Sequence, residues 1–258
     1  MTTQTRTDVT ETTKYRRPTP SLLVAAVALV GAGMAPASWA AEEVPFSISK
    51  MIIEFNATAD DVGVQVLLDG EPWKKLAIFS PTGRRILDVA PRRSLQLQGL
   101  TELFFESSEP SLDDLPLADF LARFPAGIYE FEGETVDGVK MEGEATFTHV
   151  IPAGPEIVSP VSFTQDPPVV DPDSLVIEWE PVTTTIASGA LTIAGYQVIV
   201  EQVTPLRVLS LALPAAVTSV VIPPEFFVQL GTLHKFEVLA IEAGGNQTIT
   251  EGEFVTFP

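Results

Sequence analysis

Cysteine is absent from all 258 residues of the chain. The protein therefore has no disulfide framework, no thiolate metal site, no thiol nucleophile and no cysteine for lipid attachment. Basic residues are also scarce, with 15 Lys and Arg against 34 Asp and Glu and a net charge of −19. Because such a surface repels phosphate backbones and anionic lipid, we do not expect nucleic acid as a partner.

Long helical patterns are nearly absent as well. Hydrophobic residues make up 45% of the chain, enough for a substantial core, and the 22 prolines fall between runs in which apolar and polar residues alternate. Alternation with a period of two is typical of strands that bury one face. The sequence therefore predicts an all-β fold, with two consecutive β-sandwich domains at residues 41–153 and 154–258.

The first forty residues have the pattern of an export signal. Lys14, Arg16 and Arg17 precede an apolar run at residues 22–35, which is too short to span a bilayer comfortably. Ser38 and Ala40 then occupy the small-residue positions that favour cleavage before residue 41. The sequence predicts an exported protein, periplasmic or secreted, with no membrane span after cleavage. An uncleaved anchor is the alternative.

The first predicted domain resembles immunoglobulin-like sandwiches only in general composition. We expect strands at 44–55, 63–68, 73–79 and 84–89, with an Asp69-Gly70 turn and a tight turn at 80–83. An extended stretch at 95–106 and one short helix following Ser111 come next, and the helix ends before Pro125. Two strands around a turn at 136–138 close the domain. Its core candidates in these last elements are Leu103, Phe104, Phe105, Ile128, Tyr129, Phe131, Met141, Ala145 and Phe147.

A Pro- and Gly-containing segment at 151–155 predicts a short, stiff connection between the domains. Beyond it, residues 174–179 form a predicted strand that ends in Trp179, a large apolar anchor before Pro181. Further strands are expected at 157–160, 193–200, 208–213, 218–222, 233–243 and 251–257.

This second half resembles a fibronectin type III domain. The resemblance covers 154–258 and is carried by Pro155, Trp179-Glu180-Pro181, the run at 193–198 around Tyr196, Leu230, and the run at 236–240. It implies a Greek-key sandwich of three and four strands with Trp179 and Tyr196 packed between the sheets. One position departs from the family pattern, because Phe236 stands where a tyrosine hydroxyl usually bonds to the corner backbone. The family implies adhesion, spacing or binding and no chemistry.

Motifs for catalysis are missing from the sequence. It contains no Gly-rich phosphate loop, no His-Glu-x-x-His and no Gly-x-Ser-x-Gly, and its two histidines, His149 and His234, lie in different predicted domains. We therefore expect a protein that is not an enzyme and that needs no cofactor.

Acidic residues crowd the region of the predicted helix. Glu102, Glu106, Glu109, Asp113, Asp114 and Asp119 lie within eighteen residues, but the glycine of a calcium loop is missing. Our main interpretation is that Asp113 and Asp114 complement the dipole of the helix in its first turn. Ca²⁺ binding and a carboxylate pair for glycoside hydrolysis are the alternatives.

Ligand contacts are predicted at Trp73, Arg84 and Arg85. Trp73 follows Glu71-Pro72 at a strand start, where an exposed ring would stack on a sugar. Arg84-Arg85 is one of two basic pairs in an acidic chain and would suit an acidic surface or a polysaccharide, unless local Asp and Glu pair with it.

These observations favour a protein-interaction or structural module of a bacterial envelope or the extracellular space. Its expected partners are proteins or polysaccharides of that envelope. Self-assembly through edge strands at 44–55 and 251–257 is a structural variant of this hypothesis. The alternative function is a carbohydrate-binding accessory protein or a weak glycan-active enzyme, which depends on Trp73.

Overall fold

A computed structural model describes residues 43–161 and 166–257, and nearly all of its regular structure is β, which confirms the predicted fold class. The predicted export signal at 1–40 lies outside the described residues. None of the helices in the described ranges is long and apolar enough to cross a membrane.

The first half of the described chain contains seven strands and two short helices. They are β1 (Glu43–Pro45), β2 (Ile48–Asn56), β3 (Asp61–Phe79), β4 (Arg85–Val89), α1 (Ser94–Gln98), β5 (Leu100–Glu106), α2 (Leu117–Arg123), β6 (Gly127–Thr135) and β7 (Lys140–Phe147).

The long strand β3 organises this half. It pairs with β2 and β5 through its first part and with β6 and β4 through its last part. The expected turn at Asp69-Gly70 is wrong, because the strand continues through both residues, with a change of register against β5 between Asp69 and Trp73. Gly70 serves close packing instead, since a Cβ there would lie 2.8 Å from the terminal methyl of Met141. Tertiary contact has overridden the local turn preference.

The sheet of the first half closes around its own core. Its strands follow the order β1-β7-β6-β3-β2, and only Phe46 and Ser47 separate β1 from β2. The chain between these two strands therefore links the opposite ends of the sheet. The buried side chains that it encloses include Trp73, Leu76, Phe120, Tyr129, Phe131, Met141 and Phe147.

Several local expectations for the first half need correction. Residues 95–106 are not extended throughout, because α1 occupies the first part and β5 the second. Two of the predicted core residues face solvent, with Phe104 exposed by 57% and Ile128 by 49%. The turn at residues 80–83 and the closing pair of strands are confirmed, and the Gly83 N–H donates to the Ser80 carbonyl at 2.8 Å.

The second half contains eight strands and one 3₁₀ turn at Pro224–Phe226. The strands are β8 (Ile157–Ser159), β9 (Val169–Val170), β10 (Val176–Trp179), β11 (Ile193–Gln202), β12 (Arg207–Pro214), β13 (Ser219–Val221), β14 (Leu233–Glu242) and β15 (Gln247–Thr256).

Two sheets of the second half form the sandwich that the family resemblance implies. One has three strands in the order β13-β10-β8, and the other contains β12-β11-β14-β15. Trp179 and Tyr196 are buried between them with ring centroids 5.3 Å apart, which confirms the prediction for this pair. The Val182 N–H donates to the Tyr196 hydroxyl oxygen at 2.9 Å. Phe236 is buried, and its ring packs directly over Gly252.

The four-stranded sheet continues into the first half. Residues Gln247–Ile249 of β15 pair in parallel with Glu54–Asn56 of β2. The predicted edges at 44–55 and 251–257 are therefore occupied in part, residues 54–55 by β15 and residues 255–256 by β9. β15 has β14 on one side, with β2 and β9 at the two ends of its other side. β2 has β3 on one side and β15 on the other, and β1 pairs with β7.

Candidate functional site

Trp73 is placed in the core rather than on the surface. Its side chain is 0% exposed, inside the cluster of the first half. The expectation that Trp73 is exposed is therefore wrong, because β3 does not begin at this residue but carries it through the middle of the sheet. A fully covered ring offers no face to a sugar, so the sugar-stacking argument for this residue has no structural support.

Arg84 and Arg85 lie where the sequence places them, at the turn between β3 and β4, and both are exposed. The Arg85 guanidinium donates to Asp88 Oδ2 at 2.8 Å and lies 5.4 Å from the centre of the Phe79 ring. This is the local pairing that was the alternative to ligand binding. Arg85 also borders a surface depression of about 380 Å³ on β3, β6 and β7, whose other lining residues include Lys75, Lys140, Glu132, Glu134 and Glu142.

The acidic residues of the helix region separate into two groups. Helix α2 begins at Leu117, so Asp113 and Asp114 precede it and the acidic residue of its first turn is Asp119. The interpretation of Asp113 and Asp114 as first-turn residues is therefore wrong. Asp113 instead donates its N–H to the Ser111 hydroxyl at 3.2 Å. Glu106 and Glu109, by contrast, meet a residue from another strand.

The residue from the other strand is Glu54 of β2. One carboxylate oxygen from each of Glu54, Glu106 and Glu109 lies within 4.8 Å of the other two. Glu106 stands at the end of β5, and Glu109 fills the space over Gly63, where a Cβ would lie 2.7 Å from Glu109 Cγ. Two amides contact this carboxylate cluster, since Gln65 donates to Glu106 at 3.0 Å and Gln247 of β15 donates to Glu54.

Burial and mutual repulsion change how the cluster titrates. Burial raises the pKa of Glu54 to about 7; the charge of Glu106 adds to the increase and the hydrogen bond from Gln247 opposes it. Burial also raises the pKa of Glu109 to about 7, helped by the charges of Glu106, Glu54 and Asp61. Three oxygens at this spacing can share a proton or contribute ligands to a hard cation such as Ca²⁺.

The carboxylate cluster adjoins a buried amide that links the two halves. Asn246 lies in the turn between β14 and β15 and is 2% exposed. Its Oδ1 accepts the Ile53 N–H at 2.8 Å, and its Nδ2 donates to the Thr148 carbonyl at 3.1 Å and the Val150 carbonyl at 2.9 Å. The side chain therefore joins β2 and the residues just before the connecting segment to the second sandwich.

Neighbouring groups reinforce this junction. Glu242 holds the turn, because its carboxylate accepts the Gly244 N–H at 2.7 Å and the Asn246 N–H at 3.2 Å. The Thr248 hydroxyl donates to the Pro152 carbonyl at 2.6 Å. On the other side of the connection, the Ala153 N–H donates to the Thr184 carbonyl at 2.9 Å. The backbone of the connecting segment is thus bonded on both sides.

Comparison with known proteins gives no family assignment from sequence. No protein-family model matches the chain. No curated protein matches it either.

Among solved structures, the chain is similar to fibronectin(III)-like modules of Clostridium thermocellum CbhA, with 10% identity, 81% of this chain and 95% of that chain covered, and a TM-score of 0.29. A two-domain fibronectin type III segment of chicken tenascin matches at 10% identity, with 82% and 99% coverage and a TM-score of 0.28. A bacterial ice-binding adhesin matches at 13% identity, with 84% and 66% coverage and a TM-score of 0.25.

Sequence reasoning missed Glu54, Gln247 and Asn246. Glu54 reads as a solvent-facing position of an alternating strand, and Asn246 as a turn residue after two glycines. Their partners lie far away in the chain, 193 residues for both Glu54–Gln247 and Ile53–Asn246. The Gly244-Gly245-Asn246 turn is the local signal in the sequence that points to the junction.

Proposed function

We propose that the protein is an exported, non-catalytic module of two domains, 41–153 and 154–258, that presents interaction surfaces at a fixed spacing. The observation that carries this proposal is the junction around Asn246. Its partners in the cell envelope or the extracellular space would be proteins or polysaccharides.

The junction supports a fixed spacing because its bonds are directional and buried. Asn246 contacts a strand of the first core and two carbonyls just before the connecting segment, and each group would lose its partner if the halves moved apart. Leaving a buried polar group without a partner costs about 1–3 kcal/mol. Independent motion of the halves would therefore leave several groups without partners at once.

Strand pairing adds a second restraint of a different kind. The parallel pairing of β2 with β15 makes one continuous sheet from β12 to β7. A bend at the junction would therefore break the hydrogen bonds between these two strands. Ile186 and Ala187, from the loop after β10, also pack against the core of the first half. A flexible tether would have none of these features.

Surfaces for partners lie away from the junction. The depression beside Arg85 combines cationic and anionic side chains on one sheet face, which suits a polar partner such as a protein or polysaccharide surface. We keep Arg85, which borders the depression, and its exposed neighbour Arg84 as proposed contacts.

The test measures the distance between the halves. Since the chain has no cysteine, Glu144→Cys and Val221→Cys place one spin label on each half at exposed positions of β7 and β13. We expect one narrow distance distribution, which Asn246→Ala should broaden. Gln197→Ala, which removes an amide on the same sheet away from the junction, is the control and should leave the distribution narrow. A broad distribution in the otherwise unchanged protein would contradict the proposal.

A further inference from the structure

Strand β12 is an open edge of the large sheet. Within the described ranges it pairs only with β11, from Arg207 opposite Gln202 to Pro214 opposite Gly195. Its eight residues make it the longest of the described strands that have a single partner. The N–H and C=O groups on its outer side are therefore available to another strand.

The edge also lacks the charges that usually protect such strands. Arg207, at its first position, is its only charged residue, although the chain as a whole carries −19. The two next-longest single-partner strands of the described ranges are charged, since β4 contains Arg85 and Asp88 and β5 contains Glu102 and Glu106, whereas the uncharged edges β8, β9 and β13 have only two or three residues. A copy of this acidic protein would thus approach β12 with less repulsion than it would meet at those edges.

The apolar side chains of β12 are incompletely covered. Leu209, Leu211 and Leu213 point toward the second core but are only partly buried, because no described strand lies beyond them. On the opposite face, Val208 is 57% exposed, and Leu206 in the adjoining turn is 69% exposed. A further strand beside β12 would cover the free sides of the three leucines and extend the core.

We propose that two copies of the protein associate by antiparallel pairing of their β12 strands about a two-fold axis at Ser210. In an antiparallel pair, directly opposed residues share a face of the sheet. Centring on Ser210 places Leu209 opposite Leu211 and Val208 opposite Ala212, so the leucines meet on the core side. This register also leaves Pro214, which has no N–H, outside the paired segment of residues 207–213.

The strand itself favours a second copy over an unrelated peptide. The same edge on two molecules is self-complementary under a two-fold axis, as a closed symmetric dimer requires. Each copy contributes one uncharged face and the same three half-covered leucines. This association goes beyond the proposed function and is independent of the junction, because β12 lies at the other side of the sheet from β2.

Disulfide trapping tests the proposed register. In the full chain, Ser210→Cys introduces the sole cysteine, and opposed Cβ atoms in such a pair lie about 4.5–5.5 Å apart, close to disulfide geometry. Under mild oxidation we expect a covalent dimer whose yield rises with protein concentration. Ser219→Cys, at an exposed position of β13, is the matched control and should remain largely monomeric.

A second variant tests the association without a cross-link. Ser210→Lys with Ala212→Lys adds charge to the outer face of β12 without entering the core, and the axis would bring like charges together. Light scattering should show a concentration-dependent mass for the unchanged protein and for Val221→Lys, but a monomer for the double variant. Equal cross-linking at residues 210 and 219, or a mass that the β12 lysines do not alter, would overturn the proposal.

Discussion

The two ends of β15 are held by different chemistry. At its first residues, near the first half, Asn246, Thr248 and Gln247 bond to backbone and carboxylate groups. At its far end, Phe254 stacks on His234 with centroids 5.1 Å apart and planes 1° from parallel, and Phe227 meets the same histidine edge-on at 5.2 Å. One strand thus links a polar junction to an aromatic cluster.

Each end of the strand therefore has a different role. Hydrogen bonds are directional, so the polar end fixes how the two halves meet. Apolar packing is not directional, and the far end leaves several apolar side chains exposed, among them Val203, Leu206, Val228 and Leu230. The junction end determines shape within the molecule, and the far end and the adjoining β12 offer surface to another molecule.

The two ends also respond to pH with opposite signs. Burial lowers the pKa of His234 below its usual 6.5, so its contribution to stability is complete above that pH and is lost as pH falls. Burial raises the pKa of Glu54 from 4.5 to about 7, so its contribution is complete below 4.5 and is lost as pH rises through 7. Acid therefore weakens the far end, and alkali weakens the junction.

A pH effect is expected at His234. Its Nδ1 donates to the Thr232 carbonyl at 3.0 Å, and its Nε2 has no hydrogen-bond partner among the described residues. His234→Phe keeps an aromatic ring but removes titration. We expect unchanged protein to lose more stability than this variant between about pH 7.5 and pH 5, measured by urea unfolding.

Phe227→Leu is the control for the aromatic cluster. It alters packing around His234 without removing the titrating group, so it should still lose stability as the pH falls, unlike His234→Phe. If His234→Phe and the unchanged protein lost stability in parallel, the proposed acid sensitivity of the far end would be wrong.

A pH effect of opposite sign is expected at the junction. Glu54→Gln keeps a carbonyl oxygen to accept from Gln247 and removes the charge facing Glu106 and Glu109. Because ionisation of the buried carboxyl is disfavoured, the variant should be more stable than the unchanged protein by about 1–3 kcal/mol at about pH 8. The gain should vanish below pH 4.5. Glu253→Gln, an exposed carboxyl on β15, should change stability little at either pH.

The difference between local patterns and contacts that are distant in the chain explains what the sequence could predict. The alternating runs around Tyr196 and Phe236 predicted β11 and β14 correctly because each run records the burial of its own residues. The turn predicted at Asp69-Gly70 was wrong because a dipeptide indicates only a local turn preference. In the folded protein, Met141 and Phe46 pack against that glycine within a continuous strand. Pairing between Glu54–Asn56 and Gln247–Ile249 left no trace in either segment alone.

The candidate-site residues also differ in whether a local pattern in the sequence reveals them. Glu106 and Glu109 were noticed as part of an acidic run, because the run is local in the sequence. Their convergence with Glu54 depends on how β2 and β5 flank β3, which charge patterning does not encode. The prediction that Trp73 is exposed was wrong because its neighbours Glu71-Pro72 suggest the start of a strand. In the structure both residues lie within the continuous strand β3.

Differential scanning calorimetry asks whether the junction makes the two halves one structural unit. We predict a single cooperative transition for the unchanged protein, with equal calorimetric and van't Hoff enthalpies. Asn246→Ala should lower its midpoint by several degrees or divide it into two transitions, because the Ile53 N–H and the Thr148 and Val150 carbonyls lose their partner. Two independent transitions in the unchanged protein, unaffected by Asn246→Ala, would show that the junction does not couple the halves.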